Sequence, residues 1–201
     1  TWEKIFTNKQ TRLSIGFRNN NALMVALNKD DEEKLKFKKK FFEKIGFETK
    51  LLNNVQTLKI EPSLNSNVTS SLLCKNQDQV NPISLKNFLI NQIKDMGGEI
   101  LKTDQINSFL LKKNKVFFNN ESYDFEKIII SCGAWSNEII KNSFGIDIPL
   151  RPLKGVSLLV QSMKNKFIHN LWFRNIYIAP RRDGILAIGA TEEEKGFDSS
   201  I

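Results

Sequence analysis

An α+β fold, part open α/β sheet and part antiparallel sheet, is predicted by three observations on this chain of 201 residues. An amphipathic helix runs from Pro82 to Met96, with Leu85, Phe88, Leu89, Ile93 and Met96 tracing one face. The run Lys127-Ile128-Ile129-Ile130-Ser131 is apolar through its centre, as a strand buried on both faces of a parallel sheet would be. After Pro149 and Pro152 the pattern turns to strands without helices.

Taken in order, Thr11 to Phe17 and Ala22 to Leu27 are β-leaning runs separated by Arg18-Asn19-Asn20-Asn21, where Asn tolerates left-handed turn geometry, so a hairpin is predicted. A helix should follow, capped by Asp30 or Asp31 and ended by Gly46, with Leu35, Phe41, Phe42 and Ile45 at helical spacing. Glu48 to Leu52 reads as extended, and Val55 to Ile60 as a short helix stopped by Pro62. Asn81 caps the helix of Pro82, which tolerates proline in its first turn, and Gly97-Gly98 ends it. Short strands are predicted over Glu99 to Leu101, Ile106 to Leu111, Val116 to Phe118 and Ser122 to Phe125. The buried run leads into Cys132-Gly133-Ala134-Trp135-Ser136 and a helix to Phe144, closed by Gly145. Val156 to Gln161, Asn175 to Pro180 and Ile185 to Thr191 complete the antiparallel set, the last two joined over Arg181-Arg182-Asp183-Gly184.

Composition removes several classes. With 40% hydrophobic and 26% charged residues the chain can bury a core without staples. No apolar stretch approaches the ~18 residues of a spanning helix, so no membrane partner is expected. Cys74 and Cys132 stand far apart without a Cys-x-x-Cys, and His169 is the one histidine, which supports neither a disulfide framework nor a metal site; a reducing cytoplasm is the expected location. The ends, Thr1-Trp2-Glu3 and Asp198-Ser199-Ser200-Ile201, read as cuts in a longer protein. Net charge of +8 invites a nucleic-acid partner, but the lysines are scattered. The one dense run, Asp30 to Lys40, is acidic first and basic last, the order a solvated helix face adopts on its macrodipole. No nucleic acid is therefore expected.

Two segments carry candidate chemistry. Gly133-Ala134 after a buried strand lets backbone approach whatever sits at the carboxyl edge of a sheet, although an ordinary strand-to-helix turn uses glycine the same way. Tyr177 through Glu193 reads as a hairpin whose second strand has a small-residue patch at Gly189-Ala190, equally suited to packing. A Gly-x-Gly-x-x-Gly dinucleotide loop is absent from the sequence.

Together with Glu61-Pro62-Ser63-Leu64, Val80-Asn81-Pro82, Arg151-Pro152-Leu153-Lys154-Gly155 and Gly196-Phe197-Asp198, these segments resemble the D-amino-acid oxidase superfamily of FAD-dependent oxidoreductases, most closely the glycine oxidases of thiamine biosynthesis. The resemblance implies a remnant of an α/β FAD domain joined to an antiparallel substrate domain. Residues 1–80 then belong mainly to the substrate domain, 81–149 to the FAD domain with helix 82–96 and strand 127–131, and 150–201 again to the substrate domain. It implies oxidation of the Cα–N bond of a small amine or amino acid by hydride transfer to flavin N5, with molecular oxygen reoxidising the flavin to give hydrogen peroxide.

By the same resemblance Tyr177 is the catalytic, substrate-binding residue, its neutral phenol donating to the substrate carboxylate. Ile106, Cys132, Gly133, Ala134 and Trp135 would contact FAD, and Tyr177 and the Gly133-Ala134 segment would border one cavity. Strand packing for Ile106 and core anchoring for Trp135 are the alternatives. Glu192 stands near the substrate side; inward it would pair with the amine or disfavour an anion, outward it would be solvated. Arg181 and Arg182 are read as solvated turn residues, and His169 as a surface residue. The family's FAD loop would precede this segment and its Gly-x-Arg-Pro arginine would follow it, so the chain by itself is expected to be inactive. A flavin dehydrogenase or sarcosine-type oxidase on the same scaffold, and a non-catalytic module binding an acidic partner, are alternatives; a homo-oligomer is left open.

Overall fold

The computed structural model describes residues 6–102, 110–112, 114–118, 121–161, 167–198 and 200. Chain contacts divide it into two compact units, residues 1–97 with 156–191, and residues 98–155 with 192–201. Helices and sheets are both present in an α+β arrangement.

The first unit is built on a seven-stranded sheet. Its strands are β1 (Ala22–Ala26), β2 (Thr49–Asn53), β3 (Ser70–Cys74), β7 (Leu158–Gln161), β8 (Asn170–Phe173), β9 (Ile176–Pro180) and β10 (Ile185–Gly189), in the order β2-β3-β1-β8-β9-β10-β7. The pairing of β1 with β8 is parallel, with Leu23 beside Leu171, and the other pairs are antiparallel. Strand β1 is central, so its apolar sequence supplies both faces. Ala22 and Ala26 pack with Leu72, Cys74 and Leu35 of helix α2 (Lys29–Lys44). Leu23 and Val25 point the other way and pack with Leu52, Val68 and Leu171.

Four helix starts share one device, an asparagine whose side chain accepts from a first-turn amide. Asn8 does so for α1 (Lys9–Ser14), Asn53 for α3 (Asn54–Ile60) in a capping box with Gln56, and Asn81 for α4 (Pro82–Asp95). Asn28, rather than Asp30 or Asp31, caps α2. Asp31 is instead buried, accepting from the Leu27 amide and lying 3.5 Å from Arg174.

The second unit has a three-stranded antiparallel sheet of β4 (Leu110–Lys112), β5 (Lys115–Phe118) and β6 (Glu121–Asp124), and helix α5 (Ser136–Phe144), closed by Gly145 in the left-handed region. Lys154 and Glu193 form an isolated antiparallel bridge in the same unit.

Four expectations are corrected. Residues Thr11 to Phe17 do not form a hairpin strand: Asn8 provides a cap, α1 takes the first part, and Arg18 instead bridges to Gln79. The Ile128-Ile129-Ile130 run forms no strand, since no described strand pairs with it, and Ile129 is 89% exposed rather than buried. Glu99 to Leu101 is likewise unpaired. His169 is not a surface residue but 8% exposed, held by Glu61. Strand β8, which the pattern did not announce, completes the sheet between β1 and β9.

Candidate functional site

The β9–β10 hairpin positions the first group of candidate residues. Its turn closes when the Arg181 amide donates to the Ile185 carbonyl at 2.8 Å and Asp183 Oδ1 accepts from the Ile185 amide at 3.1 Å. Register then sets Tyr177 opposite Gly189 and Ala179 opposite Ala187. A Cβ on Gly189 would stand 3.0 Å from the Tyr177 hydroxyl and 3.0 Å from Ser157 Cβ, so the phenol lies where glycine leaves room. Trp172, paired with Tyr177 on β8, tilts against its ring at 5.5 Å between centroids.

Tyr177 is half-buried, and its hydroxyl makes no hydrogen bond among the described residues. It lines a cavity of about 350 Å³ together with Ala179, Ala187, Arg181, Gln79 and Asn81. The cavity wall is braced at Pro180, whose carbonyl accepts from Arg18 Nη1 and Gln79 Nε2, each at 2.6 Å. Arg182 Nε donates to the Phe17 carbonyl at 3.1 Å. Burial first, and the neighbouring Arg182 charge second, hold the pKa of Arg18 below its ordinary value.

A buried polar pair, which sequence reasoning missed, anchors the same unit. Glu61 is 0% exposed, and its carboxylate accepts from the amides of Ile168 and His169 and contacts His169 Nδ1 at 2.9 Å. The pair fixes the chain just before β8, with Glu61 fully buried and His169 nearly so, which marks it as structural. Nothing local in the sequence announces it, because the partners are more than a hundred residues apart.

The second unit holds the other candidates. Gly133–Trp135 form a short 3-10 turn leading into α5, with Gly133 at φ +54 and open space where a Cβ would project. Cys132 and Gly133 are exposed, Ala134 is half-buried, and Trp135 stacks on Phe197 at 5.3 Å between centroids. No side chain caps the start of α5. Glu192 is exposed. Nearby, Asp198 accepts from the Ser200 amide and from Lys154 Nζ, contacts that lower its pKa to about 2, the Ser200 amide contributing most. Ile106 lies outside the described residues. The predicted residues thus fall in both units, Tyr177 in the first and Cys132 to Trp135 with Glu192 in the second. Among the described residues no cluster of His, Cys, Asp and Glu could hold a metal ion, and no helix is long and apolar enough to cross a membrane.

Known proteins bear on these segments. Over 142 residues the chain is 28% identical to hydrogen cyanide synthase subunit HcnC of Pseudomonas protegens, covering 69% of this chain and 34% of that protein. Over 75 residues it is 35% identical to glycine oxidase of Pseudomonas aeruginosa, covering 37% of this chain and 20% of that protein. The crystal structure of glycine oxidase from Geobacillus kaustophilus superposes with a TM-score of 0.88 at 19% identity, covering all of this chain and 56% of that one. The chain therefore spans about a third or less of these curated relatives and about half of the solved structure. The family model for FAD dependent oxidoreductases, DAO, matches residues 2–201. From Phe6 to Ser200, through both units and both groups of candidate residues, this chain belongs to the DAO family of FAD-dependent oxidoreductases.

Proposed function

We propose that the protein carrying this chain oxidises a small amine or amino acid in the manner of the glycine oxidases, with Tyr177 as the substrate-carboxylate donor. FAD, when bound, supplies the acceptor at N5 for the hydride from the substrate Cα, and molecular oxygen returns it to the oxidised state with release of hydrogen peroxide. The observation that carries this reading is that Tyr177, half-buried, lines a cavity while its hydroxyl has no hydrogen-bond partner among the described residues. A neutral phenol can donate one hydrogen bond to a carboxylate without bringing a charge of its own.

The chemistry of the second unit suits the cofactor. Exposed residues at Cys132 and Gly133 and open space beside Gly133 let a ligand approach the backbone, and the partly exposed Trp135 ring offers an apolar face. Residues 132–135 would hold FAD on this reading, and Ile106 is proposed beside its adenine. Glu192, exposed, is proposed to lie at the rim of the substrate side. The division into a substrate domain of residues 1–80 and 150–201 and an FAD domain of 81–149 belongs to the same proposal, as does a role in thiamine synthesis in the cytoplasm.

The test is amine-dependent peroxide release by the FAD-loaded protein that carries this chain. Glycine or sarcosine should yield peroxide, and Tyr177→Phe should raise KM roughly 10-fold to 100-fold, the equivalent of one hydrogen bond to a charged group. Reduction of an artificial acceptor without peroxide would favour a dehydrogenase, and an unchanged KM in the variant would remove Tyr177 from the site.

A further inference from the structure

The cavity beside Tyr177 is larger than the carboxylate of one small amino acid needs, and its far end is cationic. Side chains alternate along a strand, so Tyr177, Ala179 and Arg181 follow one another on one face of the hairpin, and all three line the cavity of about 350 Å³. Ala187 sits opposite Ala179. The floor between phenol and guanidinium is thus two methyl groups, which leave a trough. Four residues of strand put its ends about 13 Å apart at the Cα atoms, at a rise of ~3.3 Å per residue.

Arg182 borders the same cavity, and Asp183 is the one acidic residue lining it among the described residues. One Asp183 oxygen already accepts from the Ile185 amide. Arg181 is half-buried, and its guanidinium makes neither a hydrogen bond nor an ion pair among the described residues. Arg182 uses one donor on Phe17, leaving most of its five N–H groups unused. Arg18 adds a third positive charge beside Arg182, both lining a neighbouring cavity with Arg181. A half-buried guanidinium with no paired acid among the described residues is a site for a planar anion, which it binds with paired, charge-assisted hydrogen bonds.

We infer that Arg181, backed by Arg182, binds a second acidic group of the substrate, at the opposite end of the trough from the carboxylate held by Tyr177. The substrate class is then an amine or amino acid bearing two carboxylates, rather than glycine alone. This rests on the reading of Tyr177 given above, and the test separates the two.

The test is an NMR titration of the ¹⁵N-labelled chain with acetate, glutarate and adipate, following the Arg181 Nε–H and Tyr177 amide signals. One of the dicarboxylates should shift both signals together and bind at least about 10-fold more tightly than acetate, as one further charge-assisted hydrogen bond provides. Arg181→Gln should abolish the advantage of that dicarboxylate over acetate, while Arg181→Lys should keep part of it. An unchanged dicarboxylate-to-acetate ratio in Arg181→Gln overturns the inference, as does equal binding of all three anions by the unaltered chain. If Tyr177→Phe weakens acetate while Arg181→Gln changes nothing, the Tyr177 reading stands and this one fails. If Arg181→Gln removes the advantage while Tyr177→Phe affects no ligand, the arginine site stands and the Tyr177 reading fails.

Discussion

Gly189 and Tyr177 oppose each other across β9 and β10, and a single methyl group on Gly189 would approach the Tyr177 hydroxyl and Ser157 Cβ to 3.0 Å each. The absence of a side chain at 189 is therefore what sets the phenol against its neighbouring strand. Gly189→Ala should push the ring towards the cavity or spread the strands, costing about 1–3 kcal/mol, the range for overpacking in a fitted site. Urea denaturation measures the loss; a variant as stable as the parent, with an unshifted Tyr177 ring signal, would contradict the contact.

Glu61 is expected to be the most sensitive polar position of the first unit. Glu61→Ala strands the buried amide of His169, and a buried unsatisfied donor costs about 1–3 kcal/mol. The Ile168 amide belongs to an exposed residue and can turn to water, so it adds less. Glu61→Gln keeps an acceptor and should recover part of it. Thermal melts of the two variants check the order; equal stability of Glu61→Ala and the parent would mean these amides find other partners.

The acid limb of stability in the second unit should depend on Asp198. Its folded-state pKa of about 2 lies below the ordinary 3.8, so the carboxylate favours the folded state above pH 3.8, and that contribution is lost as pH falls towards 2. Asp198→Asn should differ from the parent at neutral pH, and the difference should fade between those two values. Acid titration followed by the Trp135 fluorescence, whose ring rests on Phe197 next to Asp198, is the measurement. A gap that persists unchanged to pH 2 would contradict the assignment.

The two cysteines should separate by reactivity. Cys132 is exposed, whereas Cys74 is buried and its burial pushes the thiol pKa up to about 11. A maleimide at pH 7 should label the folded chain once, at Cys132, and twice after denaturation. Rapid labelling of Cys74 in the folded chain would show that β3 opens.

Local chemistry made much of this architecture legible. The cap at Asn81, the proline after it and the apolar period of Leu85 to Met96 specify α4 by interactions within a few residues. The Arg181 to Gly184 turn and its flanking strands are readable for the same reason. Order and spacing of the motifs from Glu61 to Asp198 also point to the family.

What distant partners decide was not legible. Ile128 to Ile130 have the composition of a buried strand, but pairing is a property of two segments, and no described strand pairs with this one. His169 looked solvated until Glu61, far away in sequence, closed on it. Arg181 looked like a turn residue at the surface, and only the fold sets it, without a partner among the described residues, on the cavity that Tyr177 lines. The sequence by itself determined helices α2 to α5, the Arg181 to Gly184 turn and the family. Tertiary structure decided which polar groups are buried and which charges remain unmatched, since both depend on the neighbours that long-range folding supplies.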